Sequence, residues 1–211
     1  MKRLALLLAA LCLTSCQTAP APVRQEAVTK LEEGWEKHKA VVIVAVDIRE
    51  KTSLRDNIPH FGSVFFRRAD RAYAGRASDD YDFGIQYSLA SDWRAAAGQR
   101  DENRAPRLFQ LEPGVYVIER INIGSRPKTI RQGYDASTNR VSYGHFDARA
   151  GDVINLGRLV VHMHYHEGTF SQRVEDNSKE VLEYVADKYP GLKKPETRLL
   201  NVTPKFEFDF R

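Results

Sequence analysis

Three histidines at alternating positions are the residues whose type and spacing best suit chemistry. His162, His164 and His166 stand two apart in the chain, and Glu167 follows directly. In a strand, residues two apart point to the same side and lie about 6.6–7 Å apart. Two neutral imidazoles at that spacing can converge on Zn or Cu, and a carboxylate of Glu167 or the imidazole of His145 could add a ligand. The pattern therefore predicts a candidate transition-metal site on one face of a strand.

The same row also suits the solvent face of a strand. The alternate positions, which include Val161, Met163 and Tyr165, carry the side chains expected of a row that faces a core. A straight strand would hold the imidazoles of His162 and His166 about 13–14 Å apart, which is too far for both to bind one ion. The histidines are therefore either exposed groups that titrate near neutral pH, or a two-histidine site that needs a ligand from a neighbouring strand.

A small hydrolase is a further alternative for the same polar residues. It would use His145 or His164 as the base, beside Asp147 or Asp152. The sequence has no Gly-x-Ser-x-Gly elbow, His-Glu-x-x-His helix, phosphate loop or dinucleotide fingerprint. We therefore expect a domain that binds or scaffolds rather than one that catalyses.

The elements that would position these residues are strands. Leu111-Glu112-Pro113-Gly114 is typical of a tight turn, because proline presets φ and glycine accepts positive φ. The turn leads into an alternating run from Val115 to Ile123, in which the odd-numbered residues would share one face. Residues 40–46 form a continuous apolar run, as a central strand does. We predict a mainly β fold, an antiparallel β-sandwich, over residues 40–211.

Two helices and a last strand are expected at the borders of this domain. Apolar residues at every fourth position predict a short N-terminal helix ending near residue 39, after a tether that begins at residue 16. An amphipathic helix is predicted over residues 177–189, where Asn177 and Glu180 resemble a capping box. Alternating phenylalanines predict a final strand over residues 205–210.

The N-terminus has the pattern of a targeting signal. Lys2 and Arg3 precede an apolar run from Leu4 to Leu13, which is too short to span a bilayer. The following Leu13-Thr14-Ser15-Cys16 resembles the lipobox of bacterial lipoproteins. This resemblance implies a signal peptide over residues 1–15, cleavage before Cys16 and acylation of that cysteine. Gln17, where that family carries Asp for inner-membrane retention, favours the outer membrane, facing the periplasm.

A second resemblance covers roughly residues 111–190. It rests on three motifs: Leu111-x-Pro113-Gly114-x-Tyr116, Ala150-Gly151-Asp152-Val153, and Leu156-Gly157-x-Leu159. Their order is similar to that of small bacterial lipoproteins of uncharacterised function, whose domain resembles the prealbumin-like sandwiches found beside carboxypeptidases. The resemblance implies a fold and no catalytic residues.

Cysteine usage and charge limit the remaining functions. Cys12 would leave with the signal peptide and Cys16 would carry lipid, so the mature chain of this 211-residue protein would hold no disulfide or thiolate site. Without Lys2 and Arg3 the formal charge falls from +4 to +2, and nucleic acid is not an expected partner in the envelope. The arginines around Arg67 and Arg71 could favour an anionic surface or simply form a solvated face. Expected partners are the membrane, through the lipid, and an envelope protein, peptidoglycan or a lipid headgroup.

Overall fold

The computed structural model of the protein describes residues 35–51, 58–59, 62–72, 81–87, 104–123, 134–135, 140–141, 143–164 and 169–207. Within these ranges the chain is mainly β, and one α-helix is present. The strands are β1 (Ala40–Lys51), β2 (Ile58–Pro59), β3 (Gly62–Arg68), β4 (Phe83–Tyr87), β5 (Arg107–Leu111), β6 (Gly114–Ile123), β7 (Tyr134–Asp135), β8 (Arg140–Val141), β9 (Gly144–Ala148), β10 (Val153–His164), β11 (Thr169–Glu175), β12 (Glu196–Thr197), β13 (Asn201–Val202) and β14 (Lys205–Glu207). The helix, α1, is Ser178–Lys188.

Most of the strands form two sheets. The first sheet has the order β14-β11-β10-β1-β2, with β12 also paired to β10 and β5 also paired to β1. The second sheet has the order β13-β9-β6-β3-β4, and β7 and β8 form a two-stranded sheet. Buried apolar side chains from both sheets form one cluster between them. Aromatic rings stack within it, with Phe66 and Phe83 centroids 4.4 Å apart and Tyr116 and Phe146 centroids 5.4 Å apart.

The pairing at the centre of the first sheet differs from the antiparallel arrangement expected from the sequence. β1 and β10 run parallel along almost their whole length, and β12 is also parallel to β10. The other strand pairs are antiparallel within the described residues. β1 is buried on both faces, since Val42 and Val44 contribute to the core between the sheets while Val41 and Ile43 face α1. Burial on both faces explains its unbroken apolar sequence.

Helix α1 packs on the outer face of the first sheet. Its buried residues Val181 and Val185 form a second apolar cluster with Val41, Ile43 and Leu108. The predicted capping box is wrong, because the side chain of Asn177 makes no cap hydrogen bond. Instead, Oδ1 of Asp176 accepts a 2.8 Å hydrogen bond from the Ser178 backbone N–H.

The predicted N-terminal helix falls largely outside the described residues. Residues 35–39, its expected end, form a turn rather than a helix. In the described part of the chain, no helix has both the length and the apolar character needed to cross a membrane. The last strand is seen as Lys205–Glu207, and the remainder of the predicted strand lies outside the described residues.

A β-bulge in β6 changes which of its side chains face the core. Phe65 pairs with Arg120 and Phe66 with Ile118, so Glu119 is an extra residue in the ladder. The alternation shifts by one residue there, and Ile118 and Ile121 are both fully buried. The expectation that all the odd-numbered residues of this strand share one face is therefore wrong.

Candidate binding cleft and histidine row on the first sheet

The histidine row lies on the outer face of β10. His162 and His164 are half-buried and their ring centroids are 6.5 Å apart, whereas Val161 and Met163 are buried in the core between the sheets. This is the alternation that the sequence predicts. His166 and Glu167 lie outside the described residues, so their part in a site stays a prediction.

His145 does not lie across a ladder from the other histidines. It belongs to β9, which pairs with β6 and β13 in the second sheet. Its side chain is exposed on the outer face of that sheet, where Nε2 is 3.4 Å from Nδ2 of Asn201. The prediction that His145 joins His162 is wrong, because the two strands contribute to opposite sides of the sandwich.

The neighbours of the histidine row come from β11. An Nη1 of Arg173 lies 3.2 Å from Nδ1 of His162, and Oγ of Ser171 lies 2.9 Å from Nε2 of His164. An arginine can only donate, so Nδ1 of His162 accepts and carries no proton in this geometry. If Nδ1 of His162 were protonated, its hydrogen would point at the positively charged guanidinium of Arg173.

The pKa of His162 is lowered from its ordinary value near 6.5. Burial is the largest cause, and the positive charge of Arg173 is the next. A base whose pKa falls on folding adds stability above its unfolded pKa, and that stability is lost as the pH falls through the lower, folded value. His162 therefore favours the folded state near neutral pH and opposes it in acid.

We predict that Arg173→Gln raises the pKa of His162 toward its ordinary value. The substitution removes the nearby positive charge but leaves the burial of the ring in place. NMR titration of the histidine ring protons measures the shift. Arg149→Gln is the matched control, because Arg149 is 75% exposed and pairs with Asp147 on the other sheet. An unchanged His162 titration in Arg173→Gln would show that the guanidinium does not act on the ring.

This environment opposes metal binding by the described histidines. A cation at His162 would face Arg173 at hydrogen-bond distance, and Arg49 lies opposite His162 in the neighbouring strand. Among the described residues, no group of three or more His, Cys, Asp or Glu side chains is arranged to hold a metal ion. A Zn or Cu site would need ligands from residues 165–168, such as His166, and stays a prediction.

The pair Ser171–His164 has the hydrogen bond of a nucleophile and its base. A base of this kind also needs a group that orients its second nitrogen, and among the described residues Nδ1 of His164 is buried without a hydrogen-bond partner. Asp147 lies on the second sheet, and Oδ2 of Asp152 lies 2.6 Å from Nη2 of Arg198. Neither carboxylate lies beside His164. Asp147 shares the exposed face of β9 with His145, but its Oδ2 lies 3.2 Å from Nε of Arg149 on an open surface.

The arginines at the end of β3 and in the turn after it do not form a bare cationic surface. Arg67 pairs with Glu119 at 2.8 Å, and Arg71 pairs with Asp82 at 2.6 Å. Arg68 is bound to the carboxylate of Asp70. Their charges are locally neutralised, so this cluster does not support attraction to an anionic surface.

A buried carboxylate connects the histidine row with the segment before β5. Asp47 has a side chain only 8% exposed, and Oδ2 accepts hydrogen bonds of 3.0 and 2.9 Å from Nε and Nη2 of Arg49. An Nη2 of Arg104 lies 3.6 Å from the same oxygen. A buried charge needs such partners, and Asp47 therefore holds both guanidiniums against the sheet.

Next to Arg104 the structure contains a cleft of about 620 Å³. Its walls are the segment 104–106, Arg158 of β10, and one face of α1, on which Glu180, Glu183, Tyr184 and Asp187 follow each other at helical spacing. Arg158 donates to the carboxylate of Glu180, which joins the sheet to the helix at the edge of the cleft. The volume lies within the range of about 300–1,000 Å³ that is usual for small-molecule sites.

No protein-family model, no curated protein and no solved structure matches this chain. Its function is therefore inferred from its own residues and their geometry.

The cleft was not predicted from the sequence. Its residues carry no motif, and they come from three segments far apart in the chain. The one local signal is the charge pattern of α1, in which Glu180, Glu183 and Asp187 share a face with Tyr184. That pattern alone also describes a solvated helix face.

Proposed function

We propose that the protein is a cell-envelope lipoprotein, anchored through Cys16, whose mainly β domain binds a ligand or partner rather than catalysing a reaction. The observation that carries this proposal is Leu13-Thr14-Ser15-Cys16 after a basic start and a short apolar run. Gln17 supports placement at the outer membrane, facing the periplasm. The two packed sheets support a sandwich of the prealbumin-like type, with the parallel pair β1–β10 as its distinguishing feature.

The distance between lipid and domain also suits this role. Residues 17–34 separate Cys16 from the first described residue, Trp35. Eighteen residues span at most about 60 Å when fully extended. The domain would therefore stay near the bilayer while turning its faces toward other envelope components. Each buried methylene of the acyl chains would add about 0.8 kcal/mol of membrane attachment.

Binding is favoured over catalysis by the nature of the candidate sites. In the part of the chain that the structure describes, Nδ1 of His164 in the Ser171–His164 pair has no hydrogen-bond partner, and the cleft beside α1 is lined by charged groups that could hold a ligand. An envelope protein, peptidoglycan or a lipid headgroup is the proposed class of partner.

We predict that Cys16→Ser abolishes both acylation and cleavage of the signal. The lipid is attached through the thiol, and the lipobox resemblance implies that cleavage follows this attachment. Incorporation of labelled palmitate and the mass of the purified protein measure the two steps. Cys12→Ser is the matched control, because it replaces the other cysteine inside the apolar run and should leave both steps intact. A Cys16→Ser protein that is still cleaved before position 16 and found with membranes would overturn the anchoring proposal.

A further inference from the structure

We draw no further inference here: the strongest candidate, the buried amides of Asn155 in β10 and Asn177 at the start of α1, whose Nδ2 atoms have no hydrogen-bond partner among the described residues, carries nothing because the two residues are only 1% and 7% exposed and neither lines the cleft beside α1, so that no ligand is indicated for them.

Discussion

Replacing Gly157 with alanine is expected to destabilise the domain by about 2–5 kcal/mol. Gly157 has φ +84°, a conformation that residues with a side chain rarely adopt. A Cβ built there would lie 2.7 Å from the backbone oxygen of Glu175 and 2.7 Å from Cγ1 of Val174. The backbone of the adjacent strand cannot move away without breaking the pairing of β10 with β11. The cost therefore combines backbone strain with a steric clash.

Denaturant unfolding of the Gly157→Ala protein measures this loss. Gly191→Ala is the matched control, since nothing lies within 4 Å of a Cβ at that position and its φ is not in the left-handed region. We expect that control to stay within about 1 kcal/mol of the parent protein. The ladder of β1 with β10 shifts by one residue at this position, since Ile43 pairs with Asn155 and Ala45 with Arg158, which makes a bulge in β10. If both variants unfolded at the same denaturant concentration, Gly157 would not be required for this bulge.

Removing one partner of the Arg67–Glu119 ion pair is expected to cost about 3–5 kcal/mol. Nε of Arg67 lies 2.8 Å from Oε2 of Glu119, and the two side chains are only 8% and 16% exposed. The guanidinium also lies over the ring of Tyr81, 5.0 Å from its centroid. Glu119→Leu would leave the arginine charge buried without this carboxylate, which is costly in a low-dielectric environment.

The double variant Arg67→Met with Glu119→Leu is expected to recover much of that loss. Both charges are then removed, and apolar side chains of similar length fill the space. The comparison pair is Asp147 and Arg149, which are 50% and 75% exposed and 3.2 Å apart. Breaking that exposed pair with Asp147→Asn should cost no more than about 1 kcal/mol. Equal losses at the two pairs, measured by denaturant unfolding, would contradict the dependence on burial.

Local sequence patterns predict several elements because their causes are local. The turn before β6, the unbroken apolar run of β1 and the apolar stripe of α1 depend on residues close together in the chain. Backbone preferences and side-chain periodicity act over that range, so these segments can be predicted without knowledge of the fold. The order Leu13-Thr14-Ser15-Cys16, which resembles a lipobox, is also a local pattern, and lipidation of Cys16 stays a prediction.

Strand β11 is an element that its local sequence does not predict. In its sequence, polar Thr169, Ser171 and Arg173 alternate with a row in which Gln172 stands between two apolar residues, so the apolar row of a typical strand is interrupted at its middle. Gln172 is nevertheless buried, and its Nε2 donates a 2.8 Å hydrogen bond to the backbone oxygen of Thr203. A polar residue can occupy a core position only when a partner from elsewhere in the chain satisfies it.

The sequence alone determined the mainly β character and the outward row of His162 and His164, and it predicts lipidation at Cys16. Only the tertiary structure decided the parallel pairing of β1 with β10, the bulges at Glu119 and Gly157, and the separation of His145 onto the other sheet. It also brought Arg104, Arg158 and α1 together around one cleft. The physical reason is that alternation and turn chemistry act between neighbours along the chain. Strand partners, ladder register and clefts instead depend on contacts between segments that are distant in sequence.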